Sequence, residues 1–242
     1  METLDILTKK SIDKVLRLEL VPTQQAFKAF MAGVYISLGA LFMTVIKNDT
    51  SLSPAVSALL SGLVFSIGLI FVIVCEAELF TGNCLVLVGV LNNKITMLEL
   101  IKLLGHTLMW NSLGCVATAS LTALSGMNVD IFLNIMSAKR IVDTSFINVV
   151  GKAMLCNVLV CLAIWASTGT SAKHQHPILI VMPVAMFVAC GFEHSIADIF
   201  MVMFLNPAII PAFNILIFLA IVIIGNVLGG FLISFLLNSC CK

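Results

Sequence analysis

The chain has 242 residues, of which 60% are hydrophobic and only 10% charged, with a formal net charge of +1. Soluble domains carry roughly a quarter charged residues and are mostly surface, so this composition excludes a soluble fold of any size. The near-neutral charge also excludes an electrostatic nucleic-acid partner. A spanning helix needs ~20 mainly apolar residues, so six spans would use nearly the whole chain and leave no room for a second domain.

Residues 1–26 contain no continuous apolar run of the signal-peptide kind. Over 4–20, Leu4, Leu7, Val15, Leu16 and Leu18 alternate with Lys9, Lys10, Lys14 and Arg17. That pattern predicts an amphipathic cytoplasmic helix on the membrane surface. A first span is expected over 27–46, ending at the polar run Lys47-Asn48-Asp49-Thr50-Ser51. The second starts after Pro54, a favourable first-turn residue, and its apolar run reaches Leu91. It is too long for one straight crossing. Glu76-Ala77-Glu78-Leu79-Phe80-Thr81-Gly82-Asn83 interrupts it with two carboxylates and a glycine at membrane depth.

The third span is expected over 98–124 and the fourth over 146–167. The fifth starts near Pro177, is interrupted at Gly191-Phe192-Glu193-His194-Ser195, and ends near Leu205. The sixth is expected over 212–237. The organisation is then an N-terminal helix (1–26), one six-helix membrane domain (27–238) and a short cytoplasmic tail (239–242).

With the N-terminus placed inside, nine basic residues face the cytoplasm: Lys9, Lys10, Lys14, Arg17, Lys28, Lys94, Lys102, Lys173 and Lys242. Four face outward: Lys47, Lys139, Arg140 and Lys152. This bias predicts both termini in the cytoplasm of a plasma or inner membrane, as an even number of spans requires. Of the eight cysteines, Cys75, Cys84, Cys115, Cys156, Cys161 and Cys190 lie in apolar runs and read as small hydrophobes. Cys240 and Cys241 read as part of a plain tail, with lipidation as the alternative. No Cys/His spacing, His174 and His176 included, reads as a metal site, and no cofactor is implied.

The two interruptions fall in the second span of each three-span half. Two oppositely oriented halves with matching broken helices make an inverted repeat, the strongest sequence pointer to a transport pathway. Unwound backbone in hydrocarbon costs several kcal/mol per unpaired group unless it is buried in protein or lines a cavity. Glu78 reads as bonding the backbone at its break. His194, beside Glu193 at midplane depth, reads as functional, because such residues face cavities or relay protons. Glu193 reads as the group orienting that ring or its helix.

More specific motifs lie along the same segments. Cys156-Asn157-Val158-Leu159-Val160-Cys161-Leu162-Ala163 is similar to the signature of the formate/nitrite transporter family. Leu79-Phe80-Thr81-Gly82 resembles the family's first-half loop. Pro183-Val184-Ala185-Met186-Phe187 with Gly191-Phe192-Glu193-His194-Ser195-Ile196-Ala197 resembles its second-half break. Gly225-Asn226 with Gly229-Gly230 resembles its last helix.

The resemblance implies an all-α, aquaporin-like protomer in a homopentamer, each protomer passing small monovalent anions of weak acids such as formate, nitrite, hydrosulfide, acetate or lactate. It implies Thr81 and His194 as the polar pair of the pore, Asn157 and Asn226 as further donors, and Phe65, Leu69, Leu79, Phe80 and Phe187 as constrictions. Without the resemblance these five read as ordinary core. The sequence departs from the family at Glu76, where glycine is usual, at Asp198, where asparagine is expected, and at Ile141, where the family carries an anion-drawing lysine. Lys139 and Arg140, just upstream, are the candidates for that role.

Desolvating a bare carboxylate costs several kcal/mol. A weak acid between Thr81 and His194 would accept hydrogen bonds as an anion and leave neutral, which predicts proton-coupled flux through the central His194, whether the ring gives its own proton or relays one from water. The runner-up is an aquaporin-like channel for water or small neutral solutes. It would want twin Asn-Pro-Ala motifs, whereas Asn206-Pro207-Ala208 occurs once. An enzyme would need a nucleophile–base pair or a metal cluster, and the chain offers neither motif.

Overall fold

The computed structural model describes residues 2–138, 141, 145–169, 176–206, 208 and 210–241. Every regular element among the described residues is helical. Helix α1 (Glu2–Leu20) opens with Glu2 and Asp5 in its first turn and closes with Arg17 in its last, charges that suit the helix dipole. Its buried residues, Leu4, Leu7, Ser11 and Val15, recur every three or four positions and form one stripe. That stripe packs on α2 (Pro22–Lys47), α5 (Leu87–Leu91), α6 (Met97–Leu124) and α8 (Phe146–Gly169), so the predicted surface helix lies against the protein.

Helix α2 begins at Pro22, earlier than the expected 27, with the proline in its first turn, where its missing N–H is no loss. Ser53 caps α3 (Pro54–Val74), its Oγ accepting from the Val56 N–H at 3.4 Å. After an extended stretch come α4 (Phe80–Asn83), a 3-10 turn (Cys84–Val86) and α5. Thr96 and Glu99 form a reciprocal capping box that starts α6.

A short helix, α7 (Asp130–Ala138), lies where the sequence reading placed only a connection. In the second half, α9 (His176–Ala189) is followed by α10 (Ser195–Val202), then α11 (Ala212–Cys240). Helix α11 runs beyond 237, so Ser239 and Cys240 of the expected tail are helical. Cys84, Cys115, Cys156 and Cys161 are buried, whereas Cys75 and Cys190, read as interior hydrophobes, are exposed at helix ends.

Among the described residues, four helices are long and apolar enough to cross a membrane: α2, α3, α8 and α11. The segments Phe80–Leu91 and Pro177–Ala189 are apolar but shorter. Helix α6 has 28 residues but buries Thr107, Asn111, Thr118 and Thr122, which dilute its hydropathy. The main packing is α2 with α3 and α6, α8 with α9 and α11, and α3 against α9. Glycines let the backbones touch: a Cβ on Gly114 would lie 2.2 Å from the Phe30 carbonyl oxygen, and one on Gly229 the same 2.2 Å from that of Met154.

Candidate functional site

Two asparagines organise the molecule's centre in the same way. In α6, Asn111 Nδ2 donates to the carbonyls of Ala29 (2.6 Å) and Glu78 (2.9 Å), while its Oδ1 accepts from the Phe80 N–H (2.9 Å). In α11, Asn226 Nδ2 donates to the carbonyls of Ala153 (2.8 Å) and Glu193 (3.0 Å), and its Oδ1 accepts from the Ser195 N–H (2.9 Å). The spacings agree as well: Phe80 and Ser195 each lie 31 residues before their asparagine, Glu78 and Glu193 each 33. Each asparagine thus satisfies backbone groups that leave a helix between α3 and α4 or between α9 and α10. Left unpaired, such groups would be costly in a buried setting.

These two extended stretches bring Thr81 and His194, 113 positions apart, into contact at the core. Thr81 Oγ1 lies 3.2 Å from His194 Nε2, and both residues are buried. His194 also caps α10: its Nδ1 accepts from the Ala197 N–H at 3.3 Å. A ring nitrogen that accepts from a backbone N–H carries no proton, so the neutral ring holds its proton on Nε2. In that tautomer His194 donates toward Thr81, which leaves the hydroxyl its own proton to donate.

Aromatic rings enclose this pair. Phe187 stacks on His194 (5.9 Å between centroids, 13° between planes), and Phe65 stands edge-on to both Phe187 (5.5 Å) and His194 (6.2 Å). Leu69, Leu79 and Phe80 are buried beside them, each 2% exposed. Asn157 is buried, and its Nδ2 donates to the Asn226 carbonyl at 2.7 Å. Glu193 is buried, with its own carbonyl held by Asn226.

A cavity of about 520 Å³ opens from His194, Phe65 and Phe187 toward the ends of α2 and α9. Lys47, Asn48, Asn134, Lys152 and Glu193 line it. Lys139 and Arg140, the basic residues expected at this mouth, lie outside the described residues. On the opposite side, α1 sends Lys14 to Glu78, with which it forms an ion pair, and to Asn83 Oδ1 at 2.7 Å. Asn83 Nδ2 in turn donates to the Thr107 hydroxyl at 3.1 Å.

Sequence reasoning passed over Asn111, Lys14, Lys47 and Lys152 as site residues. Asn111 was findable from its matching distance to the first polar run. The lysines carried no such mark, because only the fold turns them toward the centre.

The formate/nitrite transporter family model matches residues 2–240. The formate channel FocA of Escherichia coli K12 is 36% identical over 187 residues, covering 75% of this chain and 66% of FocA. The alignment thus spans about two thirds of that relative's length. Among solved structures, an "FNT family ion channel" superposes with a TM-score of 0.90 at 28% identity, covering 100% of this chain and 99% of that one. A "pentameric formate channel with formate bound" superposes with a TM-score of 0.76 at 25% identity, covering 90% and 96%.

Proposed function

Because this chain belongs to the formate/nitrite transporter family, we propose that it is a membrane channel for small monovalent anions of weak acids, with formate and nitrite as first candidates. The observation that carries the reading is the contact between Thr81 and His194, whose ring lines a cavity together with Phe65 and Phe187.

The pore crosses six helical segments: α2, the α3–α5 run, α6, α8, the α9–α10 run and α11. The two asparagine brackets, alike in partners and spacing, support two inverted halves with broken second and fifth spans. Residues 27–238 then form the channel domain and 239–242 a cytoplasmic tail, with α1 at the cytoplasmic face. The nine-to-four bias of basic residues supports cytoplasmic termini. The named relative with bound formate is pentameric, which supports a homopentamer here.

An anion in the cavity feels Lys47 and Lys152 first, since convergent positive groups raise local anion concentration. Lys139 and Arg140 are the sequence's candidates to add to that field. Phe65 and Phe187 strip its water, and Leu79, Leu69 and Phe80 continue the apolar lining beyond. There the Thr81 hydroxyl and the His194 Nε2–H donate to the anion, offsetting part of the desolvation cost of several kcal/mol. Proton uptake removes most of the remainder, and the neutral acid passes the second constriction.

The proton comes from vestibule water. Protonating His194 on Nδ1 would break its bond with the Ala197 N–H, so the ring acts as a donor and orienter. Glu193 holds the α9–α10 link that positions it. Asn157 and Asn226 serve by holding this backbone in place.

Two substitutions in purified, reconstituted protein test this. His194→Asn keeps an acceptor for the α10 cap but does not reach Thr81, and Thr81→Val removes the hydroxyl while keeping the branched shape. Both should remain assembled and lose at least about tenfold of pH-dependent formate flux, the scale of one or two lost charge-assisted bonds. Assembled variants with wild-type pH-dependent flux would overturn the assignment.

A further inference from the structure

The matching bonds around the two breaks extend to single positions. Before the first break, the Glu76 N–H donates to Ile73 (3.2 Å) and the Ala77 N–H to Val72 (2.8 Å). Before the second, the Gly191 N–H donates to Val188 (3.2 Å) and the Phe192 N–H to Phe187 (3.0 Å). Glu76 therefore occupies the position of Gly191. Both residues adopt a positive φ, +51° for Glu76 and +66° for Gly191.

For glycine that conformation carries no penalty, whereas for a residue with a Cβ it costs roughly 1–2 kcal/mol. Packing does not explain the glutamate, because its side chain is 76% exposed. What the position does gain is a carboxylate.

Its surroundings show what that carboxylate meets. Gly191, Glu193 and Lys152 line the cavity that leads to His194. Their counterparts are Glu76, Glu78 and Lys28. Lys28 precedes Ala29 and Lys152 precedes Ala153, the two alanines held by the paired asparagines. On this side, where the channel reading puts the second mouth, α1 adds Lys10 and Lys14. Lys14 is committed to Glu78, and Glu76 Oε2 lies 3.6 Å from Lys28 Nζ. Lys10, whose ammonium reaches the Thr168 hydroxyl at 3.4 Å, also feels the Glu76 charge.

We propose that Glu76 is an anion-admission determinant: its carboxylate offsets Lys28 at the α1-side mouth and so lowers the rate at which small anions load from that side. The opposite mouth has glycine in this place, so no carboxylate stands at that position beside Lys152, and the carboxylates lining its cavity, Glu193 and Asp198, are buried. This inference rests on the channel reading above, and deepens it into a difference between the two mouths.

Formate uptake is measured in sealed vesicles of both orientations, assigned by protease access to an N-terminal tag. Glu76→Gln keeps the side-chain shape and the backbone strain but removes the charge. It should lower the KM for formate loading from the α1 side by about two- to tenfold at low ionic strength, within the range of local charge focusing. The effect should shrink in about 0.5 M neutral salt, where screening acts within a few ångströms. Loading from the other side and the maximal rate should be unchanged. Glu76→Gly should show the same KM shift together with a higher melting temperature, because it alone relieves the strain. Adding Lys28→Gln to Glu76→Gln should cancel the gain.

A Glu76→Gln channel with wild-type KM from both sides, at any salt, would overturn the proposal and leave Glu76 a backbone feature. Wild-type protein without formate flux would instead remove the channel reading itself.

Discussion

Asn111 and Asn226 each engage three main-chain groups, two of which lie in the extended stretch at a break where no helix supplies a partner. A leucine has none of those bonds, so Asn226→Leu would strand the Glu193 carbonyl and the Ser195 N–H in a buried site, whereas the Ala153 carbonyl lies within α8. Each stranded group costs about 1–3 kcal/mol. The expected outcome is a fall in melting temperature in detergent, with flux lost in proportion to the protein that survives. Asn111→Leu should behave alike, and a variant of either with wild-type melting would show that water replaces the side chain. At this scale the sequence is only partly informative. An asparagine in an apolar run is visibly expensive, but its letter is the same whether it faces a guest or the backbone. The resemblance carried Asn226 over as a pore donor, whereas the bonds show its side chain engaged with Ala153, Glu193 and Ser195. His194 was legible because an ionisable ring at that depth has few uses. Its pairing with Thr81 came from the family resemblance alone, since only the meeting of two distant breaks creates the contact.

Several close helix approaches in this molecule occur where a side chain is missing. A Cβ on Gly229 would lie 2.2 Å from the Met154 carbonyl oxygen, and that oxygen belongs to backbone that cannot swing aside. Gly229→Ala should therefore push α11 from α8 and lower stability by roughly 1–3 kcal/mol, the usual range for overpacking. Gly105, also helical, has nothing within 4 Å of its would-be Cβ. Gly105→Ala should be neutral or stabilising by about 0.5–1 kcal/mol. Thermal melting of both variants in one detergent checks the contrast, and equal shifts would contradict it. Element limits were legible where local chemistry marks them, as with Pro22, Pro54 and the Thr96–Glu99 pair that starts α6. Helix α7 escaped notice because its nine residues are too few for a periodic pattern to stand out. The docking of α1 escaped as well. An apolar stripe of Leu4, Leu7 and Val15 suits lipid or protein equally, and the choice depends on the neighbouring helices.

For the whole molecule, the outer face of the protomer is apolar along several helices. Phe42 on α2, Phe71 on α3, Leu121 on α6, Ile224 and Phe235 on α11 are all exposed. So large an apolar surface has to meet lipid or other protomers. Composition had already indicated a membrane, because a chain with 60% hydrophobic residues has more apolar side chains than one protomer's core can hold. How that surface divides between lipid and partner is not written in hydropathy, since both environments reward the same residues. Five copies of a 26.0 kDa chain give 130 kDa (5 × 26.0), and light scattering of the detergent complex, corrected for bound detergent, should return that mass. A mass near one protomer would exclude the pentamer. The same preparation carries the orientation test. In the orientation proposed from the nine-to-four bias of basic residues, the α1 side faces the cytoplasm, so a C-terminal tag should resist protease in sealed right-side-out vesicles and be cut in inverted ones. The tag follows α11, and α1 lies at the same end of the pathway as Lys28 and Glu76, so this one measurement also fixes which mouth carries the glutamate. Cleavage in right-side-out vesicles would reverse the channel in the membrane and turn a carboxylate that damps anion loading from the cytoplasm into one that damps uptake from outside.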